Sequence, residues 1–340
     1  MKDAVIRRTL LIALLLCLTL GLTVLFALLP TEPAPEAEPV GAPTPLPEPT
    51  SAPTPEPTSE PSPSPEPTPE PTPARVYSGR WGEEYADKFT EGEIVRTENS
   101  YKSANVSVEI TQYAEPGLIY YVADVYVSDL EYLRCGFGRG RYGGGSQYIE
   151  ELSKDVGAIV AVTGDHYAGR GMGIVIRNGE LYRDKRFQDV CVLYRDGRME
   201  TIENRALDLG ALLEAEPWQV WSFGPGLLDG EGHAKERFNT EVYPANPRSA
   251  IGYVQPGHYY LVEVEGSRGG AWSGSRGMDM RQLAELFESL GCVSAYNLDG
   301  GRSPAMTWMG ELVSTDYGRT LSDVIYVTDT LPSEETAGEN

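Results

Sequence analysis

Residues 9–29, "TLLIALLLCLTLGLTVLFALL", contain no charged side chain. No amphipathic pattern folds such a run onto a globular core with a wet side, and at 1.5 Å per helical residue it spans about 30 Å, the thickness of a bilayer's hydrocarbon layer. Lys2, Arg7 and Arg8 precede it, and the next basic residue is Arg75. The positive-inside bias therefore predicts a cytoplasmic tail over 1–8, one transmembrane helix over 9–29 and the remaining mass outside the cell membrane. A cleaved signal peptide is disfavoured because the run exceeds the usual apolar length and "LLPTEPAPEA" offers a poor small-x-small site. Cys17 sits mid-run after Leu16, so it reads as one more apolar side chain in lipid.

The next stretch, 30–75, is built of Pro, Glu, Thr and Ser, with no aromatic residue. It has too little apolar surface to offset chain entropy, and its alternating prolines favour extended polyproline II. A disordered linker, or stalk, is expected there, and a short disordered tail over 333–340.

The formal net charge is −22, part of it from the stalk. This disfavours nucleic acid as a partner, and the membrane is engaged through the N-terminal helix. Beyond the membrane, Cys135, Cys191 and Cys292 are odd in number, lack metal-ligand spacing and sit in apolar or glycine-rich runs, so buried thiols are expected. His166, His233 and His258 show no paired spacing, and neither a metal site nor a cofactor is predicted.

The region 76–332 has an ordinary apolar fraction and dense glycine punctuation. Runs such as "LIYYVADVYV", "GAIVAVTG" and "SDVIYVTD" read as strands, and Asn178-Gly179, Asp196-Gly197 and Gln255-Pro256-Gly257 read as hairpin turns. "DMRQLAELFESLG" reads as a helix capped by Asp279, with Gln282 three residues on and Gly291 as its stop. It leads into the strand "CVSAYNLDGG", and "QYIEELSKD" before "GAIVAVTGDHY" repeats that layout. The expectation is an α+β class: a single β-rich domain with mixed sheets covered by helices.

Both helix–strand units end on an aspartate beside glycine, Asp165 and Asp299. Two convergent carboxylates can divide acid and base roles, as glycoside hydrolysis requires, although each acid can equally be a turn residue that satisfies local N–H groups. His166 is a candidate proton donor. Arg170, Arg248 and Arg302 lie in glycine-rich or turn contexts suited to cradling a phosphate. Trp221, Phe223 and Trp272 are candidates for stacking on a sugar, or for core packing.

"VTGDHYAGRGMGIVIRNGELY", "FGPGLLDG", "NPRSAIGYV" and "NLDGGRSPAM", in that order, resemble the phosphodiester glycosidase family over about 155–329, most nearly its membrane-anchored bacterial members linked to exopolysaccharide. The resemblance implies a hydrolase that cleaves the bond between a sugar's anomeric carbon and a phosphodiester. It places Thr163-Gly164-Asp165 where the family often has Asn-Gly-Gly or Asn-Gly-Asp, and Arg248 on the arginine of its Arg-Thr-Ala motif. Asn297, Asp299, Gly300 and Gly301 fall on Asn-Leu-Asp-Gly-Gly. Thr163 replaces a carboxamide, and Arg302-Ser303 stands where Gly-Ser is common. Asp299, Asp165 and His166 are then the catalytic candidates; Arg248, Arg302, Arg170, Asn297, Gly300, Gly301, Ser303 and Thr163 are the substrate- or phosphate-binding ones. A phosphoglycan-binding module without turnover, or an exopolysaccharide-remodelling transferase, is the alternative.

Overall fold

The computed structural model describes residues 77–238, 240–267 and 273–331. Residues 9–29, the stalk, the 333–340 tail, Cys17 and Trp272 lie outside the described residues. Among those described, no helix is long and apolar enough to cross a membrane.

Three antiparallel sheets make the domain. The first has seven strands in the order β1 (Val95–Arg96), β2 (Ser100–Lys102), β3 (Val106–Glu115), β4 (Leu118–Val127), β13 (His258–Val264), β12 (Arg248–Gln255) and β14 (Ser294–Asn297). The second runs β16 (Glu311–Leu312), β15 (Met306–Trp308), β6 (Val160–Thr163), β17 (Asp323–Val327) and β5 (Leu133–Phe137). The third runs β10 (Met199–Ile202), β9 (Val190–Leu193), β11 (Gln219–Trp221), β7 (Gly173–Arg177) and β8 (Glu180–Lys185).

Every strand pairing among the described residues is antiparallel, which corrects the expectation of mixed sheets. The strands of the two helix–strand units pair antiparallel with neighbours from other parts of the chain. β6 runs between β15 and β17, and β14 pairs with β12. The three hairpins form where Asn178-Gly179, Asp196-Gly197 and Gln255-Pro256-Gly257 stand, joining β7 to β8, β9 to β10 and β12 to β13.

Inner faces of all three sheets meet in one core. Val108, Ile251 and Leu261 come from the first sheet, Val160, Val162 and Ile325 from the second, and Cys191, Leu193 and Trp221 from the third. A helix packs against each sheet: α1 (Ile149–Asp155) on the second through Leu152, α2 (Leu209–Glu214) on the third through Leu212, and α3 (Met280–Ser289) on the first through Leu283, Ala284 and Phe287. α3 begins with the expected capping box between Asp279 and Gln282, and Gly291 follows it at φ 75°. Each buried Leu or Phe contributes roughly 1.5–3 kcal/mol of apolar transfer. The thiols of Cys135, Cys191 and Cys292 are free and buried.

Candidate functional site

Strands β6 and β14 end side by side, so the loops that follow them meet. The Asp299 N–H donates to the Gly164 carbonyl at 3.0 Å, Leu298 N–H to Ser249 at 2.8 Å, and Gly301 N–H to Pro247 at 3.1 Å. Thr163 joins the two loops through its side chain, donating to the Ser303 carbonyl at 2.7 Å and accepting from Ala305 N–H at 3.1 Å. Ser249 donates to the Thr163 carbonyl at 2.8 Å. The loop after β14 turns at Gly301, where φ of 73° suits a residue without a Cβ.

The two aspartates face different ways. Asp165 is 2% exposed, accepts from Arg177 Nη2 at 2.7 Å and from Ser222 N–H at 2.8 Å. The same guanidinium nitrogen reaches Asp323 at 3.1 Å, closing a buried Asp–Arg–Asp triad. Burial, then the neighbouring Asp165 charge, pushes Asp323 up to about 7 against the opposing pull of Arg177. An arginine in the apolar strand "GIVIR" and an acid opening "DVIYV" were the available signals for this triad.

Asp299 faces His166 instead, with Nδ1 3.8 Å from Oδ2. His166 sits in the left-handed region at φ 57° and ψ 38°, at the head of a single 3-10 turn. A Cβ on Gly169 would coincide with the imidazole, so only glycine there leaves room for the ring. Burial raises the Asp299 pKa above the usual carboxylate value. Ser303, His166, Arg319 and the Gly300 N–H oppose that rise. The buried Ser303 hydroxyl lies beside the carboxylate without standard hydrogen-bond geometry. Gly300 N–H donates to Oδ1 at 3.0 Å. The arginine whose charge acts on Asp299 is Arg319, which the sequence reading did not single out. Arg302 is exposed and its Nη2 lies 3.5 Å from the Tyr317 carbonyl.

Arg248 is 1% exposed; Nε donates to Met278 at 3.0 Å and Nη2 to Val242 and Pro244, both at 2.6 Å. It fastens the 242–244 segment. Asn297 donates to the Gly224 carbonyl at 2.8 Å, leaving its Oδ1 buried without a hydrogen bond. Arg170, on the same loop as His166, stacks 4.7 Å over Phe223 and bonds Gln188 at 2.9 Å. Arg170, Phe223 and Val242 line a groove of about 500 Å³ that continues past Gly224 and Pro225 to Lys235 and Arg237. Trp221 is fully buried in the core and offers no face to a sugar. Each histidine has its own carboxylate: His258 pairs with Asp124 at 2.7 Å and His233 with Glu288 at 3.1 Å. Among the described residues no group of three or more His, Cys, Asp or Glu is placed to hold a metal ion.

Residues 156–328, just over half of the chain, match the model of the phosphodiester glycosidase family. The chain belongs to that family. It is similar to an uncharacterized protein, YomE, derived from the SPbeta prophage of Bacillus subtilis, at 27% identity over 203 residues, which is 55% of this chain. The chain spans 30% of that relative's length. Its fold is similar to the catalytic domain of zebrafish N-acetylglucosamine-1-phosphodiester alpha-N-acetylglucosaminidase, solved auto-inhibited by its pro-peptide. That match has a TM-score of 0.53 at 20% identity and covers 66% of this chain and 83% of the other. Both loops that meet at Asp299 lie within the region that carries the phosphodiester glycosidase match.

Proposed function

We propose that this phosphodiester glycosidase domain is an active hydrolase whose working acid is Asp299, with His166 beside it, and that it acts on a glycan outside the cell membrane. The His166–Asp299 pair carries the reading. It is a partly exposed acid–base couple at the junction of two glycine-bearing loops, whereas the Asp165 carboxylate is consumed by Arg177 and Ser222 N–H. Family membership supports the reaction class.

In the reaction, water adds to the anomeric carbon as the bond from that carbon to the phosphodiester oxygen breaks. The phosphomonoester leaves with the bridging oxygen and the bonding electrons. Asp299, as carboxylate, takes the proton of the water and its charge stabilises the oxocarbenium-like centre; His166 holds the carboxylate and relays the proton onward. A phosphate leaving group is stable as an anion, so departure needs no strong general acid. The groove running from Arg170 to Lys235 and Arg237 offers cations to the phosphate side.

The test is turnover of a panel of sugar-1-phosphodiesters in ¹⁸O water, followed by mass spectrometry. The label is expected in the free sugar. Label in the phosphate would mean cleavage of the phosphorus–oxygen bond and would overturn the reading, as would binding of every diester with no product. For the location, protease added to intact cells is expected to shed the domain; a domain protected inside the cell would sink that part.

A further inference from the structure

A second groove, of about 610 Å³, lies between the edge of the first sheet and the end of the second. Trp308 and Val313 form one wall, and Thr111, Gln112 and Tyr121 the other, with Glu98 at the rim. Trp308 is only half-buried. Thr111, Gln112 and Glu98 are exposed. Gln112 donates to the Tyr121 hydroxyl at 2.9 Å, which leaves its carbonyl oxygen outward-facing chemistry to offer.

An indole face flanked by an amide, a hydroxyl and a carboxylate is what a neutral sugar ring needs: an apolar platform for its C–H face and acceptors and donors for its hydroxyls. Among the described residues the groove's lining includes no Lys or Arg, and its one charge is the acid Glu98, so these residues offer a phosphate no cation. The wall of Thr111, Gln112 and Tyr121 belongs to β3 and β4, which precede the family's shared region, while Trp308 falls within it.

The groove is tied to the reacting loops. Tyr121 donates to Glu265 Oε1 at 3.4 Å, and the same oxygen accepts from Thr315 N–H at 3.0 Å. From Val313 in the groove wall the chain runs through Thr315 and Tyr317 to Arg319, whose charge acts on Asp299. Six residues span at most about 20 Å, which bounds the separation of Val313 and Arg319.

We infer that this groove is a subsite for an uncharged stretch of the glycan, distant from the bond that is cleaved. The inference rests on the proposed glycan-directed activity, and its test is separable from it. Maltohexaose, cellohexaose and chitohexaose are titrated into the full-length protein carrying Asp299→Asn, with tryptophan fluorescence and calorimetry as readouts. At least one is expected to bind saturably. Trp308→Ala should weaken that binding tenfold or more. Thr111→Arg, at an exposed strand position that tolerates a long side chain, should do the same by filling the groove, and it decides the matter if Trp308→Ala does not fold. On the Asp299 background, Thr111→Arg should leave turnover of a monosaccharide-1-phosphodiester unchanged. Absence of saturable binding by all three sugars, or binding that survives Thr111→Arg, overturns the subsite. Hydrolysis without such binding sinks the subsite and leaves the activity standing; binding without hydrolysis does the reverse.

Discussion

Replacing Arg177 by leucine separates a structural acid from a working one. The guanidinium is 1% exposed and binds Asp165 at 2.7 Å and Asp323 at 3.1 Å, with Nη1 donating to the carbonyls of Val220 and Ile176. Its loss leaves two buried carboxyl groups facing each other with no cation between them. Breaking a buried ion pair from one side costs about 3–5 kcal/mol, and two abandoned carbonyl acceptors add roughly 1 kcal/mol each, offset in part by leucine's apolar surface. A net loss of about 4 kcal/mol is expected at pH 7, a large share of the roughly 5–15 kcal/mol typical of a domain. The loss should shrink at pH 5. Without the cation that holds it down, the Asp323 carboxyl rises further, so near pH 7 the variant's native state binds more protons than the intact protein's, and the loss narrows as pH falls through that interval. Adding Asp165→Asn and Asp323→Asn should restore most of the stability at pH 7. Urea unfolding followed by circular dichroism at both pH values measures this. A loss under about 1 kcal/mol at pH 7, or an equal loss at both pH values, would refute the triad as the reason Asp165 faces inward.

In the intact triad, Asp323 titrates at about 7 against an ordinary 3.8. The native state then holds an extra proton between those values, so this group's contribution to stability falls as pH rises from about 4 to about 7; Asp323→Asn should flatten the slope of unfolding free energy in that window. Asp299→Asn should cut turnover by about a thousandfold or more while leaving urea stability at pH 7 unchanged or slightly higher, because burial disfavours the charge that the amide removes. The acidic limb of the wild-type rate profile should lie above the ordinary carboxylate range, and Arg319→Ala should move it to still higher pH, whereas Arg302→Ala should not; a limb that follows Arg302 instead would reassign the cation. Gly169→Ala should displace the His166 ring and lower kcat with a normal circular dichroism spectrum, and full activity in that variant would free His166 of any role.

Local signals carried much of the fold into the sequence. Asn178-Gly179 specifies a hairpin because both residues take positive φ, 54° and 83°, and α3 announces itself through its cap and its one apolar face. β1 to β3, β5, β11, β15 and β16 were not legible. β1 is two exposed residues, β2 has three residues with only Tyr101 buried, and the outer half of β3, "TQYAE", lies at the surface with a polar pattern. Pairing partners were hidden as well, since β6 and β17 are far apart in the chain and only the closed core places them together. At the site, the glycine-flanked aspartates lie on the two loops that meet. Which carboxylate points outward depends on Arg177, Ser222 and Asp323, contacts at 12, 57 and 158 residues' separation from Asp165. No local motif encodes that choice. Arg302 drew attention by sitting next to the "LDGG" motif, yet the chain bends there and Arg319 returns from beyond Tyr317 to supply the charge.

Asn105 receives a hydrogen bond from Ser78 at 2.7 Å and gives one to Asp329 at 3.0 Å, and Tyr101 reaches that same Asp329 carboxylate at 2.7 Å. One asparagine side chain thus holds the chain where it enters the domain and where it leaves. A unit whose two ends meet can be spliced into the surface loop of a host protein without stretching either, or cut open elsewhere and rejoined across that gap. A short Gly-Ser bridge from Asp329 to Ser78, with new ends opened at the exposed Gly230, should yield a permuted domain that keeps its three sheets.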